Sequence, residues 1–382
     1  MKKKLLALLL SSAMVLSLVA CGSKEEPAPE APATDAETEA PAEDAEAPAA
    51  TDLHFEVIVK SFQSTYWQAA VTGIKQACDE LGVTANSNGP ATESDIADQV
   101  NMLNAAIEAA PNGIGLAACD TTSVLDSLQT AKDKGIPVVC FDTGVPDAPE
   151  GSVYATVATD NLAAGACAAE NMYPVIKEKV AAATADAKVR IGEINQDATA
   201  QNIQDRGLGF INKMIELITA DGKKVAVVGN EFYVNACSDK GDEASAEVII
   251  EVGVPSQTTV AESTIVAQGI MSKKDTIAIF GSNQVTAEGV IGANETLNVL
   301  NADPAQGIVA AGFDAGTPQK EAINAGIFIG SVTQSPLMQG YECIKTLYAI
   351  CQGETVADMP MNGYWYDTTN MTDDNIAPNL YD

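Results

Sequence analysis

The sequence predicts an α/β protein made of two similar Rossmann-like lobes with mostly parallel sheets. Three observations carry this. Residues 135–144 read GIPVVCFDTG and residues 307–316 read GIVAAGFDAG. Each is a short apolar run that closes on Phe-Asp and turns at Gly. A fully buried parallel strand has this pattern, and its C-terminal end is where open α/β sheets hold ligands. Strand-like and helical patterns alternate along the rest of the chain, as in repeated βα units. The stretch 53–382 also has the length of two ordinary domains. Each lobe therefore offers an Asp, Asp142 or Asp314, to a shared cleft, the layout of a binder that closes around a small polar molecule.

The chain opens Met1-Lys2-Lys3-Lys4, followed by an apolar stretch to Ala20. A basic start with a short apolar core reads as a secretory signal, and the stretch is marginal for a membrane span. It ends Leu18-Val19-Ala20-Cys21-Gly22, which resembles the bacterial lipoprotein box, with cleavage before Cys21 and acylation of its thiol. Lipid on Cys21 would then be the only membrane anchor. Residues 22–52 are almost wholly Ala, Pro, Glu, Asp and Thr. Such a segment buries too little apolar surface to offset ordering entropy and reads as an acidic tether.

In the first lobe, 55–59 reads as a strand, 67–81 as a helix, 99–109 as a helix and 113–118 as a strand. Asp120-Thr121-Thr122-Ser123 offers N-caps for a helix reaching Lys134. Residues 136–141 form the strand that ends at Asp142. The second series begins after 153–158. Residues 161–179 are helical, with an Ala/Gly-rich face that allows close packing. Residues 188–194, 225–228, 276–280, 308–313 and 328–332 read as strands. Residues 204–218, 318–325 and 337–352 read as helices. Residues 248–252 fit either an extra strand or the tail of a helix.

The net charge is −31, which argues against nucleic acid and against attraction to anionic lipid. The acids are spread along the chain, as a solubilising surface requires. Apart from Cys21, seven Cys remain, without a CxxC pair, and the single His is His54. That excludes a zinc cluster, and no cofactor motif is present. Several of these Cys lie in apolar patterns and read as small core residues.

A family resemblance rests on seven stretches in order: 60–69 (KSFQSTYWQA), 141–143 (FDT), 159–161 (TDN), 205–210 (DRGLGF), 281–283 (GSN), 312–314 (GFD) and 333–336 (TQSP). In these the chain resembles type I periplasmic binding proteins of the ribose/galactose group, the substrate-binding subunits of ABC importers. Residues 230–272 match poorly. The resemblance implies two sheet-and-helix lobes joined by a hinge of three crossings. Lobe one would be 53–159 with 335–360, and lobe two 160–334 with 361–382. It also implies a monomer with an ABC permease as membrane partner, on the outer face of the bacterial cytoplasmic membrane.

A sugar exposes apolar C–H faces and a rim of hydroxyls, so its site needs flat aromatics with planar donors and acceptors. By resemblance, Tyr66 and Trp67 are the paired aromatics that face the sugar; otherwise they are core at a helix start. Lys60 ends the first strand and points into the cleft, to bond hydroxyls or to pair with Asp142. Gln63 and Ser64 share its loop. Asp142 and Asp314 match the family's ligand acids, with helix capping as their alternative role. Asn283 matches a ligand amide, Gln334 a hinge-side amide, and Tyr233 falls near a lobe-two aromatic. Thr143 and Gln204 stand where ribose binders often carry Arg, which counts against ribose itself. Arg190 and Arg206 are the only arginines, and Arg206 matches a structural position. Amino-acid carboxylates and phosphates usually recruit Arg forks or a helix N-terminus, so their scarcity favours a neutral, hydroxyl-rich ligand.

The expected function is therefore capture of a sugar-like ligand for a permease, with a sensor for a signalling sugar or nucleoside as the alternative. A glycosidase using Asp142 and Asp314 would need a further catalytic constellation, which is missing.

Overall fold

The computed structural model describes residues 52–381. The leader, Cys21 and nearly all of the acidic tether lie outside them. Among the described residues no helix is long and apolar enough to cross a membrane.

The first lobe runs β1 (His54–Ile58), α1 (Thr65–Leu81), β2 (Thr84–Asn88), α2 (Ile96–Glu108), β3 (Gly113–Leu116), α3 (Leu125–Asp133), β4 (Val138–Phe141) and β5 (Val153–Thr159). β3 and β4 are buried along their whole length, as continuous apolar runs require of central parallel strands. β2 reads TANSN, with no apolar alternation, because it is a sheet edge whose side chains are exposed or half-exposed. For that reason sequence patterning does not reveal it. Asp120 accepts from the amides of Thr122 and Ser123, so it closes a turn ahead of α3 rather than capping its first residue.

The second lobe runs α4 (Asn161–Ala182), β6 (Val189–Ile194), α5 (Gln201–Ala220), β7 (Val225–Gly229), α6 (Glu231–Ala236), β8 (Val248–Gly253), α7 (Val260–Met271), β9 (Thr276–Gly281), α8 (Gln284–Leu297), β10 (Val309–Phe313), α9 (Thr317–Asn324) and β11 (Phe328–Thr333). The ambiguous stretch 248–252 is a strand, β8. Sequence patterning also misses α7 and α8, whose Gly, Ser, Thr and Ala positions blur any apolar stripe. The chain then returns to lobe one for α10 (Pro336–Cys351) and β12 (Met359–Met361), and to lobe two for β13 (Tyr364–Tyr366).

One sheet has the order β12-β5-β4-β3-β1-β2 and the other β13-β11-β10-β9-β6-β8-β7. Every pairing is parallel except β11 with β13. The chain passes between the sheets three times, after β5, after β11 and after β12, which forms the three-crossing hinge. Register aligns the strand ends: Ile58 pairs with Leu116 and Leu116 with Cys140 in one sheet, Ile194 with Gly281 in the other. The C-terminal ends of both sheets therefore present a row of loops.

Each sheet is buried on both faces. Lobe one packs α1 and α10 on one face, with Phe55, Trp67 and Leu347, and α2 and α3 on the other, with Leu103 and Leu128. Lobe two packs α4 and α5 on one face, with Met172 and Phe210, and α7, α8 and α9 on the other. The small-residue face of α4 acts as its sequence predicts. A Cβ on Gly165 would fall 2.0 Å from Arg206 O, and one on Gly209 2.2 Å from Leu162 O, so α4 and α5 touch backbone to backbone. Gly73 and Gly340 do the same for α1 and α10.

Candidate functional site

The strand ends converge on a hollow between the lobes lined by Lys60, Ser64, Tyr66, Trp67 and Asp142 from lobe one. From lobe two come Asn202, Arg206, Asn283, Gln284 and Asp314, with Gln334 at the hinge. Eight of the twelve sequence-predicted ligand residues meet here: Lys60, Ser64, Tyr66, Trp67, Asp142, Asn283, Asp314 and Gln334.

Asp142 follows β4 and Asp314 follows β10. Asp142 Oδ1 accepts from the Tyr66 hydroxyl at 2.5 Å, and Oδ2 accepts from Asn202 Nδ2 at 3.0 Å. Lys60 Nζ lies 3.2 Å from the same Oδ2 and donates to Asn202 Oδ1 at 2.9 Å. Lys60 and Asp142 are almost fully buried, so this is a desolvated ion pair completed by hydrogen bonds, the condition under which buried pairs persist. Burial alone would push the Lys60 ammonium down, but the charges of Asp142, Glu93 and Asp197 outweigh it and hold its pKa above the usual lysine value.

Asp314 Oδ1 accepts from Gln334 Nε2 at 2.8 Å, and Oδ2 from the Gln284 amide at 2.9 Å. That amide is the first of α8, so Asp314 binds the N-terminus of a neighbouring helix rather than of its own, where the helix dipole favours an anion. Burial raises the Asp314 carboxyl above the usual range, against the pull of Arg206, Gln334 and Gln284. Asn283 is the N-cap of α8 in a capping box with Thr286, and its Nδ2 donates to Gln196 Oε1. Gln334 Oε1 accepts from Thr159 Oγ1 at 2.7 Å, which joins two hinge crossings.

Trp67 Nε1 donates to Glu93 Oε1 at 2.8 Å, and Gln196 Nε2 donates to Glu93 Oε2 at 2.8 Å. Glu93 is partly exposed as a residue, but its carboxylate is desolvated; burial raises its pKa, and Lys60 and these two donors oppose the rise. Arg206 also lines the hollow. Its guanidinium donates to Asn161 Oδ1 and Ser282 O and lies 3.7 Å over the Phe313 ring. Those bonds use its donors internally, in keeping with the structural role implied by its sequence position.

The other four predicted residues lie elsewhere. Gln63 is exposed, beside Val260 and Pro318 on the opposite lobe. Thr143 is buried next to the hollow but turns toward a hinge-side groove, and its Oγ1 accepts from the Asn202 amide. Gln204 donates to Ala198 O at 2.8 Å and does not reach the hollow. Tyr233 is fully buried in lobe two and donates to Asp197 O at 2.7 Å. Its aromatic ring is drawn into the core because α6 packs against α5 and β7. Sequence reasoning missed Glu93, Gln196, Asn202 and Gln284. They are unremarkable polar residues in loops or at helix starts; Gln284, next to the predicted Asn283, and Asn202, two residues before the predicted Gln204, had neighbours to flag them, and Glu93 and Gln196 had none.

Direct bonds join the lobes: Lys60 and Asp142 to Asn202, Glu93 to Gln196, Thr65 to Gln284, and Ser94 to Thr258. The hollow they close is about 20 Å³, against the roughly 300–1,000 Å³ of ordinary small-molecule sites. A much roomier concavity, about 640 Å³, is an open groove on the hinge flank, with no aromatic face among its lining. The tighter hollow is the candidate site, because there buried polar and aromatic side chains of both lobes converge.

A periplasmic binding protein domain matches residues 55–355. Among solved structures, the chain is similar to a Brachyspira murdochii protein described as an ABC transporter of the LacI transcriptional regulator family. Identity is 32%, covering 87% of this chain and 99% of that one, with TM-score 0.71. It is similar also to an ABC transporter solute binding protein of Agrobacterium vitis with bound D-fucose, at 27% identity over 86% and 100% of the chains, TM-score 0.70. A carbohydrate transporter solute binding protein of Agrobacterium radiobacter, in complex with D-arabinose, shares the fold at 21% identity over 87% and 100%, TM-score 0.68. Among curated proteins, none matches.

Proposed function

The chain belongs to the periplasmic binding protein family, and from that premise we propose that it captures a neutral, hydroxyl-rich sugar between its lobes and delivers it to an ABC permease. It is a binding protein and not an enzyme, as are its family and structural neighbours. The observation that carries the reading is the meeting of Asp142 and Asp314 at one hollow with Tyr66, Trp67, Asn283 and Gln334. Carboxylates and amides grip hydroxyls, and the indole offers a flat apolar face.

The interlobe bonds describe how capture works. With about 20 Å³ between them, the lobes must part to admit a sugar ring. The ring's hydroxyls then take over the partners that Lys60, Asp142 and Asn202 now give one another, and closure is the state a permease reads. The lobes divide as 53–159 with 335–360 and 160–334 with 361–382. Lipid on Cys21 and the acidic tether hold the monomer outside the cytoplasmic membrane.

The test is mass spectrometry of whatever co-purifies, then a thermal-shift panel headed by D-fucose, the sugar of the Agrobacterium vitis neighbour. A sugar at a hundred times its dissociation constant adds about 2.7 kcal/mol of stability. If no monosaccharide, polyol or nucleoside raises the melting temperature, the sugar reading fails.

A further inference from the structure

The C-terminal tail lies behind the hollow. Among the described residues, Tyr381 is the one partly buried side chain that packs against the core of both lobes, with the Phe55–Trp67 cluster on one side and the Ala315–Tyr366 cluster on the other. Its ring meets the Tyr66 ring edge-on, centroids 6.0 Å apart at 77°. Its hydroxyl accepts from the Ala315 amide at 3.4 Å, one residue after Asp314. Tyr66 in turn donates to Asp142. The path Asp142–Tyr66–Tyr381–Ala315–Asp314 thus joins the two acids of the site from the rear.

The tail itself is fastened to lobe two. Thr333 Oγ1 donates to Asn379 O at 2.6 Å, Lys320 Nζ donates to Tyr381 O at 3.1 Å, and Ile376 is buried. Tyr366, earlier in the tail, donates from its hydroxyl to Asp314 O at 2.9 Å. When the lobes part, Tyr381 therefore stays with lobe two and loses its contact with Tyr66.

We propose that Tyr381 is a positioning residue of the ligand site: its ring wedges against Tyr66 only in the closed form, and its hydroxyl helps to hold the Asp314 turn. This rests on the binding reading above for its ligand readout alone. The ring contact favours closure even without sugar.

The experiment uses the full chain and two readouts. Solution X-ray scattering of the sugar-free protein measures lobe separation, and stopped-flow Trp fluorescence measures D-fucose release. Tyr381→Ala is expected to shift scattering toward the open form and to speed release by about two- to tenfold, the worth of one aromatic pair. Tyr381→Phe keeps the ring, so it should restore wild-type scattering while release stays faster than wild type. A purely structural role would lower the melting temperature and leave the scattering of the folded protein unchanged. Should Tyr381→Ala fail to fold, Tyr381→Leu, which fills the space without a flat edge, takes its place. Wild-type scattering from the Ala or Leu variant overturns the proposal. If D-fucose fails to bind the wild type, the sugar reading is weakened and the scattering result still decides the role of Tyr381.

Discussion

Asp142 and Asp314 both hold a left-handed backbone, φ +63° and +75°, at equivalent strand ends, one in each lobe. The Asp142 amide donates to Val157 O on β5 and the Asp314 amide to Val332 O on β11, so the two turns are built alike. Asp tolerates this region better than most residues, yet it carries strain there that a Gly would not. Both lobes accept that strain to aim a carboxylate into the hollow.

Asp142→Gly and Asp142→Ala remove the same carboxylate, but only Gly relieves the backbone. The Gly variant should be more stable than the Ala variant by roughly 1 kcal/mol in urea denaturation. Equal stabilities would show that the turn is unstrained.

Asp314→Ala should sharply reduce the sugar-induced thermal shift while leaving the fold intact. A charged hydrogen bond is worth roughly 1.5–3 kcal/mol, so affinity should fall about ten- to two-hundredfold. An unchanged shift would remove Asp314 from the site.

Lys60→Met strands Asp142 without its cation in a buried setting. The expected loss is about 3–5 kcal/mol, and Lys60→Met with Asp142→Asn should recover much of it. A double variant as unstable as the sum of the two single variants would argue against a direct pair.

Glu193 on β6 is fully buried; Asn195 donates to Oε1, and Oε2 has no partner. Burial raises its pKa well above the usual 4.5, and the Asn195 bond only partly offsets this. A raised carboxyl contributes its stability below the unfolded value and loses it as pH climbs through the folded value. Glu193→Gln should therefore match wild type near pH 4 and become progressively more stable toward about pH 8. A constant gap between the two urea midpoints across this range would refute the assignment.

Gly165→Ala pushes a methyl group toward Arg206 O and should destabilise by about 1–3 kcal/mol. Because Arg206 lines the hollow, sugar affinity should fall with it, and calorimetric titration checks this. Gly269 on α7, with open space around its Cα and no left-handed backbone, is the control site for a glycine change that disturbs no packing.

Local patterning determined the α/β class, the strands that end at Asp142 and Asp314 and the close face of α4, and the family resemblance pointed to most of the lobe-one side of the candidate site. Those features depend on residues near one another in the chain, where apolar runs and Gly spacing are visible. The edge strand β2 and the helices α7 and α8 lack such patterns and became clear only in three dimensions. The same holds for Glu93 with Gln196, 103 residues apart, and for Asp142 with Asn202, 60 apart. Tyr233 went to the core and Gln63 to the surface because packing of whole helices decides which way a side chain faces. Closure of one lobe on the other selects partners by position in space, and no periodicity along the chain encodes that choice.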